Sequence, residues 1–113
     1  MSQSKDKGTA WESEVARVLR EAGWTQAERR SLNGSRDLGD ITGVDPGIVI
    51  ECKNEKRQDL ALWVNEAGAE RDNAGAKVGV VWHHRKGKSS PLEGYVTMSG
   101  ADFLTLLAAW CEL

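Results

Sequence analysis

Two short stretches, Gly39-Asp40-Ile41 and Ile48-Val49-Ile50-Glu51-Cys52-Lys53, decide the fold and the chemistry that this chain can support. The second stretch is rich in β-branched residues and apolar at its start, which predicts a buried strand. Side chains alternate along a strand, so Glu51 and Lys53 share one face and Cys52 points to the other. A carboxylate and an amine therefore emerge together from the end of an otherwise apolar strand.

Asp40 lies in a second strand candidate, residues 38–42, which a turn at Asp45-Pro46-Gly47 separates from the first. Because neighbouring strands lie ~4.8 Å apart, Asp40 and Glu51 are expected to be close enough to share a hard divalent cation. Magnesium takes oxygen ligands and keeps several waters, so a few carboxylates suffice, and the main-chain carbonyl of Cys52 is a further candidate ligand. Asp37 is the rival to Asp40 and ranks second because it lies closer to the preceding turn.

Lys53 is expected to orient or deprotonate an attacking water, or to stabilise the charge of a phosphorane. Taken alone, a Glu-x-Lys pair on a strand is usually a solvated ion pair, and a single Asp40 is usually a turn residue. The convergence of three ionisable groups at the ends of two apolar strands favours a catalytic site. His83 and His84 are not expected to ligate one ion, since adjacent strand residues face opposite ways.

A family resemblance rests on these residues. Asp40 followed by Glu51-Cys52-Lys53 resembles the PD-(D/E)xK signature of restriction-endonuclease-like nucleases, with Gly39 in place of the leading proline. The segment Lys7-Gly8-x-x-x-Glu12 resembles the opening of archaeal-type Holliday junction resolvases. The resemblance covers about residues 7–107, and the whole chain most resembles small phage-encoded nucleases of this kind.

The resemblance implies that Glu12, on the first helix, joins the metal site. Glu12 could merely close a capping box with Thr9, but it also aligns with Val15 and Leu19 on the stripe expected to face the sheet. Carboxylates are rarely buried without a partner or a metal, which favours the second interpretation. The expected catalytic group is therefore Glu12, Asp40, Glu51 and Lys53, with Mg²⁺ as cofactor and Mn²⁺ able to substitute.

The rest of the pattern predicts a single nuclease domain over residues 1–113, with residues 1–8 as a flexible lead-in. Helices are expected from near Thr9 to a C′ glycine at Gly23, from Asp59 to about Asn73, and from Ser99 onward. The middle helix carries an apolar stripe of Leu60, Trp63, Val64 and Ala67. Strands are expected over residues 24–32, 38–42, 48–53, 77–82 and 95–98. The order α-β-β-β-α-β-β-α predicts an α/β fold with a central mixed sheet flanked by helices, as in a restriction-endonuclease-like core.

The charge pattern limits the partners. The 113-residue chain has a formal net charge of −2, which argues against a generic polycation but does not exclude nucleic acid. Local basic clusters are the candidate phosphate contacts: Arg29, Arg30 and Arg36, then Lys56 and Arg57, then Arg85, Lys86 and Lys88. The resemblance implies branched DNA as the substrate, and these basic residues fit binding through backbone shape and charge rather than base readout.

A four-way junction is nearly two-fold symmetric and needs paired cuts, so a chain with one site is expected to act as a homodimer. The last helix, with Phe103, Leu104, Leu107 and Trp110, offers either the dimer surface or a core stripe.

No apolar run approaches a membrane span, and the two cysteines are too far apart in sequence to suggest a disulfide or zinc scaffold. The expected compartment is the cytoplasm, that of the host if the chain is phage-encoded. Alternative functions are a restriction, flap or repair nuclease, or a non-catalytic nucleic-acid-binding module of the same fold.

Overall fold

The computed structural model describes residues 3–31 and 38–113, and its side chains from residue 6 onward in the first range. The elements in chain order are α1 (Gln3–Glu21), β1 (Glu28–Arg29), β2 (Ile41–Thr42), β3 (Ile48–Lys53), α2 (Leu60–Ala74), β4 (Val78–His83), a 3-10 turn (Pro91–Glu93), β5 (Tyr95–Thr97) and α3 (Gly100–Trp110). This is the α/β element order that the sequence predicts.

Helix α1 begins at Gln3, so the predicted start near Thr9 is wrong. The residues between Gln3 and Thr9 include good helix formers, and Asp6 places a negative charge in the first turn, where it complements the helix dipole. The predicted end is confirmed. Gly23 has a positive φ of 122°, and backbone bonds from Gly23 N to Arg20 O and from Trp24 N to Leu19 O close a Schellman motif.

The strands form two small sheets. Strands β1 and β2 pair antiparallel, while β3 pairs parallel with β4 and β4 pairs antiparallel with β5. The crossover helix α2 between β3 and β4 makes the parallel pairing possible. Strand β2 is shorter than predicted because glycines with positive φ, Gly39 (96°) and Gly43 (83°), lie on either side of it.

The three-stranded sheet is covered on both faces. On one face, Ile50, Cys52 and Val80 pack with Trp11 and other residues of α1 in the larger core cluster. On the other face, Val81 packs against α2. This double cover explains why β3 is apolar on both faces at its start and carries charged side chains only at its end.

Helix α2 is capped by Asp59, whose Oδ1 accepts a hydrogen bond from Leu62 N at 3.2 Å. Trp63 and Ala67 face the sheet as predicted, but Leu60 is exposed, which corrects its place in the buried stripe. The stripe runs instead toward the C-terminal half of the helix, where Glu70 is buried. An acidic side chain thus occupies a core position close to the end of β3.

Helix α3 follows β5 in the chain and packs against β4. Its buried Asp102 accepts hydrogen bonds from the backbone N of Gly79 at 2.8 Å and from Nη1 of Arg71 at 2.6 Å. The carboxylate therefore satisfies an edge N–H of β4 and ties α3 to α2. Leu106 packs inward, whereas the other large apolar side chains of the helix are exposed: Phe103, Leu104, Leu107 and Trp110.

Candidate active site

Strand β3 places Glu51 and Lys53 on the face that α2 covers. In the parallel register Glu51 lies beside Val81, and Lys53 lies beside His83. Glu51 is only 5% exposed, while the Lys53 side chain, at the strand end, is 19% exposed. Cys52 is buried in the opposite face, where burial raises the pKa of its thiol well above the usual value. A thiol held in its protonated form is a core residue rather than a nucleophile.

Asp40 lies at the open edge of β3, on the side away from β4. Its backbone N donates to Ile50 O at 2.9 Å, and its Oδ2 accepts from Cys52 N at 2.7 Å. The side chain therefore takes the place of a neighbouring strand and is fixed against the backbone beside Glu51. Asp37 and Arg36, the other candidates from this segment, lie outside the described residues.

Gly39 explains the missing proline of the nuclease signature. Its φ of 96° is inaccessible to proline, whose ring holds φ near −65°. A Cβ at this position would also lie 2.8 Å from Val49 Cγ1 and 3.3 Å from Ile50 O. The backbone of residue 39 is thus packed directly on β3, which brings Asp40 close to that strand.

Four acidic side chains form a continuous chain across the end of β3. Glu12 from α1 interacts with Asp40, Asp40 interacts with Glu51, and Glu70 from α2 lies close enough to Glu51 to raise the pKa of that carboxyl. Glu12 also accepts from Arg29 Nε at 2.8 Å. The structure therefore brings together the three carboxylates that the sequence selects and adds a fourth, Glu70.

This crowding makes the acids weak. Burial, followed by the contact with Glu51, raises the pKa of Asp40 to about 8. Burial, with a further contribution from Glu70, raises the pKa of Glu51 to about 8. Burial and Asp40 also raise the pKa of Glu12, against the opposing effect of Arg29. Like charges this close cannot all ionise without a cation, so near neutral pH the Asp40–Glu51 pair retains a proton.

Lys53 makes its ion pairs with two carboxylates that the sequence analysis did not select. Its Nζ lies 3.1 Å from Glu66 Oε2 on α2 and 3.9 Å from Glu55 Oε2 in the following loop. Burial alone would lower the pKa of Lys53, but the hydrogen bond to Glu66 and the charge of Glu51 raise it above the usual value. The side chain is thus an ammonium group beside the acids.

Glu66 and Glu70 could have been found from the sequence. They lie four residues apart, and Glu70 falls seven residues after Trp63, which continues the stripe that faces the sheet. An acid at such a position signals a polar site beneath the helix.

The donor set suits a hard divalent cation with few protein ligands. Among residues 6–31 and 38–113, no three histidine, cysteine or carboxylate side chains already form a complete ligand group. Asp40 and Glu51, however, present neighbouring carboxylates, and these are the side chains that would hold a divalent cation. Because Ile50 O and Cys52 N both face Asp40, strand alternation directs the Cys52 carbonyl to the same edge.

Candidate phosphate contacts lie around this edge. A groove of about 560 Å³ next to Cys52 and Lys53 is lined by Lys7, Lys56 and Arg57. A second groove of about 300 Å³ shares Lys7 and Lys56 and adds Lys86 and His84. Lys7, which the sequence analysis did not select as a DNA contact, is therefore close to both.

Three of the other basic candidates, Arg29, Arg85 and Lys88, have protein partners. Arg29 pairs with Glu12, Lys88 lies 3.5 Å from Glu93, and Arg85 stacks on Tyr95 with its guanidinium carbon 5.4 Å from the ring centroid. Arg30 is half-buried, and within the described part of the chain its Nε has no hydrogen-bond partner.

The two histidines face opposite sides of β4. His83 is buried against Trp63, with Nε2 2.8 Å from Thr97 Oγ1, whereas the His84 ring packs edge-on against Trp11. Burial lowers the pKa of His83. The two rings are thus separate packing elements, and the prediction that they do not ligate one ion agrees with this arrangement.

Comparison with protein families matches residues 3–71 to the family model described as archaeal Holliday junction resolvase (Hjc). The match covers more than half of the 113 residues and includes the whole Glu12–Asp40–Glu51–Lys53 group. The chain belongs to the archaeal Holliday junction resolvase family. The fold is accordingly the restriction-endonuclease-like core of this nuclease family, whose members act on branched DNA. Comparison with curated proteins and with solved structures gave no significant match.

The Hjc match ends within α2, so β4, β5 and α3 lie beyond it. These elements nevertheless support the site: β4 pairs with β3 along its whole length, and Asp102 on α3 anchors the edge of β4. In the described parts of the chain, no helix combines the length and apolar character that a bilayer crossing requires.

Proposed function

We propose that this member of the Hjc family is a metal-dependent DNA endonuclease that resolves four-way junctions by paired nicks. The observation that carries the proposal is the contact between the Asp40 and Glu51 carboxylates at the open edge of β3, with the Lys53 ammonium beside them. Phosphodiester hydrolysis requires charge stabilisation and a positioned water, and this group of residues is suited to both tasks.

Asp40, Glu51 and the Cys52 carbonyl are the groups that would hold Mg²⁺, with Glu12 as a further carboxylate and Mn²⁺ as a substitute. When bound, the cation supplies Lewis-acid chemistry and lowers the pKa of coordinated water. The protein contributes rigidity, because Asp40 is fixed by Cys52 N and by its own backbone bond to β3.

Lys53 is proposed to stabilise negative charge on the scissile phosphate and to orient the attacking water by donating hydrogen bonds. Its ion pair with Glu66 keeps it in the ammonium form, which can donate but cannot accept a proton. Of the three roles that the sequence leaves open for Lys53, this ion pair supports water orientation and charge stabilisation rather than deprotonation of water.

DNA is proposed to enter along the groove that begins at Cys52 and Lys53. Lys7, Lys56 and Arg57 line this groove and are exposed, so phosphates can be neutralised there although the whole chain is slightly acidic. Binding through phosphates should weaken steeply with salt. No base-reading element is needed for a substrate that is recognised by its shape.

Paired nicks require two sites, and we propose that a second copy of the chain packs on α3. The exposed stripe of Phe103, Leu104, Leu107 and Trp110 presents roughly 500 Å² of apolar surface, near the upper limit for a monomer. An apolar helix of this kind is better explained by self-association than by contact with phosphate.

The proposed compartment is the cytoplasm. Both cysteines are free thiols, with Cys52 buried and Cys111 exposed. A reducing environment is the natural setting for a chain whose exposed thiol does not form a disulfide.

The test is cleavage of four substrates, a four-way junction, a duplex, a flap and a single strand, each with Mg²⁺ and with EDTA. We expect symmetric nicks in the junction alone, and only with Mg²⁺. Preferential cutting of the duplex or flap would assign a restriction or repair task on the same fold. Binding without cleavage of any substrate would identify a non-catalytic nucleic-acid-binding module.

A further inference from the structure

We propose that Glu66 on α2 is the positioning residue for Lys53, holding its ammonium group beside the metal-binding acids but away from Glu51. This inference rests on the proposed function, because it assigns a role to a residue that acts through the proposed catalytic lysine. Glu66 lies within the span of the family match but forms no part of the PD-(D/E)xK signature.

The geometry of α2 supports this role. Glu66 and Glu70 are one helical turn apart and face the end of β3, where Glu66 contacts Lys53 and Glu70 contacts Glu51. Each of the two functional side chains of the strand therefore has its own carboxylate on the helix. The pairing follows from the β3 alternation, which points both strand side chains at α2.

The ion pairs of Lys53 show which partner controls it. Glu51 shares its strand face, yet the Lys53 ammonium lies 3.1 Å from Glu66 and 3.9 Å from Glu55. The Glu55 side chain is 54% exposed, so this longer contact is largely solvated, while the Glu66 contact is partly buried. Glu66 is thus the partner that fixes the position of the amine.

Without Glu66, the flexible lysine would have two other destinations. It could extend into solvent, or it could move onto Glu51 and compete for the carboxylate that the cation requires. Either movement takes the amine from the position where it can act on a bound phosphate. The ion pair itself contributes little free energy. A displacement of a catalytic group by about 1 Å nevertheless reduces the rate of catalysis strongly.

The experiment measures single-turnover junction cleavage in Mg²⁺ and junction affinity in EDTA for Glu66→Ala, Glu66→Gln and the control Glu55→Gln. We expect Glu66→Ala to reduce the cleavage rate about 10-fold, with unchanged affinity for the junction in EDTA. Glu66→Gln keeps an acceptor of the same size and should lose less. Glu55→Gln should change the rate by less than about 2-fold, since its contact is long and exposed.

A double-mutant cycle with Lys53→Ala separates positioning from a general structural role. If Glu66 acts through Lys53, Glu66→Ala should cause no further loss once Lys53→Ala is present. A full 10-fold loss in that background, or a Glu66→Ala variant with the wild-type rate, would overturn the assignment. If Lys53→Ala itself cleaved at the wild-type rate, the catalytic role proposed for the lysine would fail as well, so the two failures are distinguishable.

Discussion

In the absence of divalent cations, the folded protein should lose stability as the pH rises from 6.5 to 7.5. The pKa values of Asp40 and Glu51 are about 8 in the fold, against 3.8 and 4.5 for the unperturbed side chains. In this pH window the folded pair retains protons that the unfolded chain has released. When folding raises the pKa of a group, the resulting stability is fully present below the pKa of the unfolded state. It is lost as the pH rises through the pKa of the folded state.

The magnitude follows from the number of retained protons. Each proton bound only by the folded state lowers the free energy of unfolding by about 1.4 kcal/mol per pH unit. Because Asp40 and Glu51 share a hydrogen bond, we count one proton for the pair and expect a loss of about 1 kcal/mol across the window. The raised pKa of Glu12 acts in the same direction. His83, whose pKa is lowered, acts oppositely below its unperturbed value of 6.5, and the window starts there for that reason.

The assay is urea unfolding in EDTA at three pH values between 6.5 and 7.5, repeated with Asp40→Asn as the control. This variant keeps an acceptor for Cys52 N but removes one of the coupled acids, so it should flatten the pH dependence. Added Mg²⁺ should stabilise the wild type more at pH 7.5 than at 6.5. At the higher pH, fewer protons must leave the carboxylates before they can bind the cation. Equal or greater wild-type stability at pH 7.5 in EDTA, or an unchanged slope in Asp40→Asn, would refute the proton-sharing account.

Three further outcomes are expected from single substitutions. Lys53→Ala should fold normally and cleave ~10²–10⁴-fold more slowly than the wild type at any salt concentration. Lys56→Ala should weaken DNA binding, and low salt should restore that binding. If low salt also restored cleavage by Lys53→Ala, Lys53 would be a binding residue. Trp110→Glu should convert a dimer into a monomer by light scattering, whereas Trp24→Glu, at another exposed tryptophan, should leave it dimeric; an unchanged Trp110→Glu dimer would exclude the α3 surface. Asp102→Ala should lower the free energy of unfolding by about 3 kcal/mol in urea titrations, because two donors lose a buried partner, and a change below about 1 kcal/mol would contradict that role.

The strand that carries the site was predictable because local and tertiary signals agree there. Residues 48–53 are β-branched and apolar and are also buried between two helices, so their predicted bounds match β3. The approach of Asp40 to this strand followed from the short connection between them. The lengths of β1 and β2 were not predictable, because they depend on glycine conformations and on packing that no local pattern records.

The second half of the site was missed for a different reason. The stripe on α2 was identified from apolar residues alone, which placed Leu60 inside and left Glu66 and Glu70 unnoticed. A buried acid looks like a surface residue unless its spacing is compared with that of its apolar neighbours. For α3, apolar residues at helical spacing predict a contact surface but cannot distinguish the core of one chain from an interface between two.

Junction cleavage by Asp40→Asn and Glu51→Gln, measured beside the wild type with Mg²⁺ and with EDTA, tests the central claim most directly. Both substitutions preserve size and remove one carboxylate from the edge of β3, while the lysines of the groove remain. We expect both variants to bind the junction at least as tightly as the wild type and to produce no nicks, and the wild type to cut only with Mg²⁺. Wild-type turnover by both variants, or metal-independent cutting by the wild type, would contradict the assignment of this carboxylate pair as the catalytic centre.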